Sequence, residues 1–208
     1  GIAESFANSG VTDIVALRGD PPKGDGKFTA HPEGFTSSVD LIEALKDTGR
    51  FAIRVGAYPE KHPEAANQAA DIDWLKRKLD AGADEALTQF FFEADTFFRF
   101  RDACQRAGID GDRLTPGILP IENWKGVTRF AERCGTAVPA WLIDAFEKAE
   151  RDGRQDLLAT AICSELCSDL LEGGVKALHF YTLNRPELTR DVCHALGVVP
   201  RARLQNVA

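Results

Sequence analysis

Arg18, Gly19 and Asp20 close a short apolar run and are followed by Pro21, Pro22 and a glycine-rich stretch. A cation, a glycine and a carboxylate at the end of a strand put charge and an approachable backbone at one point. The same triplet also reads as a plain turn with a surface ion pair. A second apolar run ends in Tyr58-Pro59-Glu60-Lys61-His62-Pro63-Glu64-Ala65. There Tyr58 could stack on a ring, and His62 could meet an anion near a helix N-terminus. A capping or surface histidine fits equally. Asp71, Trp74 and Lys78 follow at i, i+3 and i+7, one helical stripe, with Arg77 beside them. Cations next to a carboxylate suit a pyrophosphate and a ribose hydroxyl; a solvated basic face is the plainer alternative. Gln89 is a polar residue inside the run Thr88-Gln89-Phe90-Phe91-Phe92. Its amide both donates and accepts, as the edge of a heterocycle requires, although a satisfied core glutamine reads as well. Arg185 follows His179-Phe180-Tyr181-Thr182-Leu183-Asn184, where its planar fork could hold a carboxylate.

These residues need elements to carry them. Five apolar runs rich in β-branched and aromatic residues read as strands: Asp13–Leu17, Phe51–Ala57, Glu85–Phe90, Leu114–Leu119 and Ala177–Leu183. Helical patterns lie between them. Ser37 or Ser38 can cap a helix to about Lys46. Pro63 suits the first turn of a helix through Lys78 that ends near Gly82. Further helices are predicted near Thr96–Arg106, Trp124–Arg133, Trp141–Glu150, Arg154–Leu171 and Glu187–Ala195. The opening GIAESFANSG reads as the end of a helix closed by Gly10, which suggests an upstream part. The closing RARLQNVA reads as a frayed tail.

Alternating strand and helix implies an α/β protein with parallel strands and crossover helices. A doubly wound sheet would show a glycine fingerprint after its first strand, and none is present. The candidate residues are instead spread over the C-terminal ends of several strands, the habit of a (β/α)8 barrel. Five β/α units are visible where a full barrel has eight, so the fold expected is an incomplete barrel, its last five units, in one domain spanning residues 1–208.

Composition narrows the function classes. The chain has 208 residues, 44% hydrophobic and 27% charged, which fits a globular core and not a disordered chain. Its net charge of −7 argues against a nucleic-acid partner. No apolar run is long enough to span a bilayer, and no membrane partner is expected. The five cysteines, Cys104, Cys134, Cys163, Cys167 and Cys193, are irregularly spaced and read as reduced, mostly buried thiols of a cytoplasmic protein. No zinc spacing, P-loop or G-x-S-x-G motif occurs, so no metal is expected.

Taken in order, LRGDPP (17–22), AYPEKHPEA (57–65), LKRKLDAGAD (75–84), TQFFFEADTFFRFRDAC (88–104), PGILPIENW (116–124), VPAW (138–141) and HFYTLNRPE (179–187) resemble the bacterial methylenetetrahydrofolate reductases, from about Asn8 to Val198. The resemblance implies a flavoprotein barrel that reduces 5,10-methylenetetrahydrofolate with FAD and with NADH or NADPH, in one-carbon metabolism and methionine biosynthesis. It places Arg18, Gly19, Asp20, Tyr58, His62, Ala65, Asp71, Arg77 and Lys78 on FAD. It places Asp20, Gln89, Phe130 and Arg185 on folate, with Gln89 also near the nicotinamide. It makes Asp20 an electrostatic catalytic residue and implies a homo-oligomer for the full-length parent. Three positions depart from the family pattern: Trp74 for an asparagine, Gly126 for a glutamine, and Phe35 for a tyrosine. No residue here matches the family's catalytic glutamate, nor the threonine and histidine that hold FAD from other strands. The alternative is therefore a non-catalytic barrel fragment with weak or no FAD binding.

Overall fold

The computed structural model describes residues 1–19 and 29–198. Asp20, Pro21, Pro22 and the glycine-rich stretch after them lie outside these, as does RARLQNVA.

The described chain runs α1 (Ile2–Asn8), β1 (Asp13–Ala16), α2 (Ser38–Asp47), β2 (Ala52–Ala57), α3 (Gln68–Asp80), β3 (Glu85–Phe90), α4 (Ala94–Arg106), a 3-10 turn (Gly111–Arg113), β4 (Leu114–Ile118), α5 (Trp124–Cys134), α6 (Ala140–Asp152), α7 (Gln155–Glu172), β5 (His179–Phe180) and α8 (Glu187–Ala195). The strands lie in one sheet in chain order, β1-β2-β3-β4-β5. The pairs β1–β2, β2–β3 and β4–β5 are parallel. Sequential order without a reversal is what a one-way β/α winding gives, whereas a doubly wound sheet reverses at its switch point.

The chain divides into two compact units. The first comprises Gly1–Gln89 and Phe97–Pro116. In it β2 alternates half-buried and buried positions, with Ile53, Val55 and Ala57 inward. Arg54, on the other face, donates to Glu85 at 2.7 Å and also to Asp13, so one guanidinium ties β1, β2 and β3 together. These two bonds, the one to Asp13 first, raise its pKa above the usual value. Helix α2 starts at a reciprocal cap: Ser37 Oγ accepts from Asp40 N at 3.2 Å, and Asp40 Oδ2 accepts from Ser37 N at 3.0 Å. Helix α3 buries Ile72, Leu75, Lys78 and Leu79. It stops before Gly82, whose φ is +116° and where a Cβ would stand 2.7 Å from Lys46 Cγ, so only glycine fits.

The second unit comprises Phe90–Thr96 and the chain from Gly117 onward. Its core gathers Phe90, Phe92, Leu119, Ile121, Trp124 and Phe146 among others. Trp124 and Phe146 stack at 4.6 Å and 7°. Thr136 Oγ1 donates to the Phe90 carbonyl at 3.3 Å, and Trp141 Nε1 to Glu93 at 2.9 Å.

Two expectations need correction. The helix predicted from Pro63 begins only at Gln68, because His62-Pro63-Glu64-Ala65 closes a turn of its own (Ala65 N to His62 O, 2.9 Å) and Asn67 Oδ1 caps Ala70 N at 2.9 Å. The strand predicted over Ala177–Leu183 is reduced to His179–Phe180. Leu183 and Asn184 have φ of 48° and 63°, and Arg185 N bonds to Thr182 O at 2.8 Å, so the chain turns where an extended run was expected. The other elements fall within a few residues of their predicted bounds, and α8 matches them.

Candidate functional site

In the first unit, a cavity of about 430 Å³ opens at the C-terminal ends of β1 and β2. Its walls include Arg18, Tyr58, His62, Ala65, Asp71 and Lys78, six of the nine residues expected to hold the flavin cofactor. Gly19 adjoins Arg18 in the chain without lining the cavity, and its φ is +80°. Arg77 is exposed, its guanidinium 5.8 Å from the Trp74 ring, and does not line the cavity. Trp74 does line it while remaining 37% exposed.

The electrostatics are set by burial. Lys78 is only 8% exposed. Its Nζ donates to the carbonyl of Gly56, and desolvation lowers its pKa from 10.5 to about 8, with Asp71 acting in the opposite sense. A desolvated ammonium facing a cavity is a strong attractor for an anion that completes its shell. His62 is also held below its ordinary pKa, first by burial, against the pull of Asp71 and Glu64. Its Nδ1 accepts the Glu64 N–H at 3.0 Å, so the neutral ring carries its hydrogen on Nε2. Tyr58 meets the His62 ring edge-on at 4.6 Å and 89°. Asp71 Oδ2 accepts the His62 N–H at 2.8 Å and ties the loop to α3.

The loop between β2 and α3 is two proline turns in tandem. Lys61 N bonds to Tyr58 O at 3.3 Å and Ala65 N to His62 O at 2.9 Å, with Pro59 and Pro63 each second in its turn. Lys61, at the junction, has φ of 106°. Such backbone costs a non-glycine residue of order 1–3 kcal/mol and persists only where its surroundings hold it.

Several wall residues were not read from the sequence as part of a site. Glu64 grips Arg18 with two bonds, 2.7 and 3.3 Å. Their separation of 46 residues leaves no periodic signal. Gly56, a glycine inside a strand, was a legible hint of close backbone approach. Thr36, Ser37 and Ser38 add hydroxyl groups from the start of α2.

In the second unit, a cavity of about 320 Å³ lies at the C-terminal ends of β4 and β5. Arg185 lines it with Glu122, Asn123, Gly126 and Tyr181. Arg185 is 68% exposed at its side chain and stands 3.6 Å from Glu122. The other expected folate residues do not line this cavity. Phe130 is half-buried and stacks on Phe90 at 5.3 Å and 20°. Gln89 is half-buried in β3 of the first unit. Asp20 lies outside the described residues.

None of the five cysteines is in a disulfide among the described residues. Cys104, Cys163 and Cys167 are buried, and burial pushes the Cys104 thiol up to about 12, as fits small buried hydrophobes. Among the described residues, no cluster of His, Cys, Asp and Glu is placed to hold a metal ion, and no helix is long and apolar enough to cross a membrane.

Comparison with known proteins gives a consistent result. The family model described as methylenetetrahydrofolate reductase matches residues 1–197. The chain is 46% identical over 200 residues to the 5,10-methylenetetrahydrofolate reductase of Escherichia coli K12, covering 96% of this chain and 65% of that protein. It is 35% identical over 216 residues to methylenetetrahydrofolate reductase (NADH) 1 of Arabidopsis thaliana, covering 98% of this chain and 36% of that protein. The chain thus spans about 65% of the length of the bacterial relatives it matches. A solved structure described as an uncharacterized protein from Clostridium thermocellum that binds two copies of 5-methyl-5,6,7,8-tetrahydrofolic acid superposes with a TM-score of 0.51 at 14% identity, over 94% of this chain and 68% of that one, a likeness of fold alone.

Proposed function

The chain belongs to the methylenetetrahydrofolate reductase family, and on that footing we propose that it forms the FAD- and folate-binding part of an enzyme that reduces 5,10-methylenetetrahydrofolate with NADH or NADPH. One observation carries this: six residues assigned to the flavin by resemblance, from just past β1, the β2–α3 loop and α3, line a single cavity. In this reading the chain supplies the last five units of a (β/α)8 barrel, the setting is cytoplasmic, and the full-length parent is a homo-oligomer.

The donor set fits a dinucleotide. Lys78 and Arg18 supply charge for a diphosphate, and His62 supplies a neutral N–H from Nε2. Asp71 suits a ribose hydroxyl, and Tyr58 offers a ring face. When bound, FAD carries hydride from the reduced nicotinamide to the folate carbon. The protein's own part is to bind, orient and exclude water. Lys78 is desolvated in advance, so its attraction for phosphate is not spent on reorganising solvent. Arg185 is assigned the folate carboxylate, and Gln89 the edge of the pterin or nicotinamide ring. Asp20 is assigned to stabilise the cation formed as the methylene bridge opens; Asp20→Asn should slow folate reduction far more than it weakens folate binding.

The deciding experiment is titration of the purified chain with FAD, followed by visible absorbance and quenching of flavin fluorescence, then NADH or NADPH oxidation with and without methylenetetrahydrofolate. Saturable flavin binding is expected, whereas folate-dependent oxidation also needs the acid that no residue of this chain matches; a chain that leaves the flavin spectrum unchanged defeats the reading. The alternative, a non-catalytic barrel piece with weak or no FAD binding, is favoured by one observation. On the outer strand β1 and just past it, Val15 and Leu17 are 47% and 59% exposed, an apolar edge of the kind that seeks a partner. Weak or absent flavin binding, with no NADH or NADPH oxidation, would identify that case.

A further inference from the structure

We propose that Lys61 is a positioning residue, its ammonium serving as the tethered cation of a carbonyl crown that fixes the β2–α3 loop as one rim of the dinucleotide cavity. The inference rests on the flavin reading only for the ligand's identity. Lys61 has φ of 106°, a region that side-chain-bearing residues rarely enter. Glycine would relieve that conformation, yet the residue is a lysine. Its side chain explains why. The Nζ stands 2.8 Å from the Ala65 carbonyl, 3.2 Å from that of His62 and 3.5 Å from that of Pro63. Three N–H donors meet three carbonyl oxygens, which is the full donor capacity of an ammonium. The oxygens come from the second of the two proline turns, and Lys61 closes the first through its own N–H to Tyr58 O at 3.3 Å.

Lys61 does not line the cavity, whereas His62, Glu64 and Ala65 do. Its influence therefore runs through them. Drawing the carbonyls of His62, Pro63 and Ala65 toward one cation sets the path of the backbone. That path fixes His62 against Tyr58 and holds Glu64 N on His62 Nδ1. A proline-fixed loop without the ammonium would keep two turns but lose the link between them.

The test compares the full chain with Lys61→Met, Lys61→Arg and Lys61→Ala. Amide hydrogen exchange without ligand reads the loop, and FAD titration reads the cavity. Lys61→Met should speed exchange at Ala65 about tenfold or more, with α3 unchanged. It should also raise the FAD Kd about tenfold, the size expected from lost preorganisation. Lys61→Arg, a conservative change, should recover part of both. In Lys61→Ala, added ethylammonium should slow the Ala65 amide again and tighten FAD, whereas tetramethylammonium, which has no N–H, should do neither. Unchanged exchange in Lys61→Met overturns the proposal. So does a loosened loop with undiminished FAD binding. A wild-type chain that ignores FAD defeats the flavin reading instead, and the crown then stands or falls on the amide data alone.

Discussion

The cavity at the ends of β1 and β2 keeps its lysine dry, while the one at the ends of β4 and β5 leaves its arginine in water. Lys78 is 8% exposed and its pKa has fallen to about 8; the Arg185 side chain is 68% exposed and shares its charge with Glu122 at 3.6 Å. The first cavity is shaped by two proline turns, a strained lysine and a helix stripe. The second is shaped by a short strand and a turn through Leu183 and Asn184. A buried charge has already lost its water, so an anionic ligand gains nearly the whole interaction. An exposed charge must exchange water for ligand and gains little. The two regions should therefore respond very differently to removal of a single cation.

The largest effect is expected at Lys78. Lys78→Met should weaken FAD binding about 100-fold, a loss of 2–3 kcal/mol typical of a buried charge partner. The same variant should be more stable without ligand. Between pH 8 and 10.5 the unfolded chain holds a proton on Lys78 that the folded chain has lost. Stability contributed by this group thus rises with pH across that window, and below pH 8 the full desolvation penalty is present. A depression from 10.5 to about 8 corresponds to roughly 3 kcal/mol. Part of the gain is offset by loss of the bond to the Gly56 carbonyl, leaving about 1–2 kcal/mol at pH 7. Thermal melts of both proteins at pH 7 and pH 10 check this: the difference should shrink at the higher pH. A destabilised Lys78→Met would mean that the ammonium stabilises the empty cavity, and the contrast between the regions would collapse.

Arg185→Ala should cost less, about three- to tenfold in the affinity for a folate carboxylate, with FAD affinity unchanged. Isothermal titration with 5-methyltetrahydrofolate measures the first and flavin quenching the second. A loss as large as that at Lys78 would show that Arg185 becomes buried on binding. At His62 the expectation is a pH effect. Its folded pKa lies below 6.5, so the unfolded chain takes up the proton first as pH falls, and stability drops below that point. His62→Gln should remove this limb. Ring-nitrogen NMR at pH 7 should show the neutral form with hydrogen on Nε2; the Nδ1–H form would contradict the bond from Glu64 N.

The first region was also the more legible in the sequence. The spacing of Asp71, Trp74 and Lys78 put them on one stripe, and all three line the cavity. Ser37, one of the two serines the sequence offered as a cap, does start α2. Pro63 misled because the first turn of a helix and the second position of a β-turn demand the same φ of about −65°. Asn67, a better capping residue, marked the true start. What no local pattern could reveal was pairing across distance, such as Arg18 with Glu64 and Arg54 with Asp13 and Glu85. In the second region, the aromatic run from His179 suggested a long strand, and only Asn184, which tolerates positive φ, signalled the turn. Phe130 was legible as an aromatic on α5, yet its stacking on Phe90 depended on a partner 40 residues away.

The smallest and most discriminating change is Glu122→Gln. Glu122 is 25% exposed at its side chain and is the carboxylate already facing Arg185. A ligand carboxylate arriving at Arg185 must compete with it. A pair this exposed is worth about 0–1 kcal/mol, so the competition is weak. Removing the charge while keeping the shape should therefore tighten an anionic folate only about two- to threefold, the more so at low salt. A pterin without the glutamate tail should bind both proteins alike. Equal binding of the anionic ligand at low salt would mean that its carboxylate does not approach Arg185 in this cavity. A tenfold or larger gain would mean that the pair is desolvated once the ligand is seated, which would make the second region electrostatically like the first.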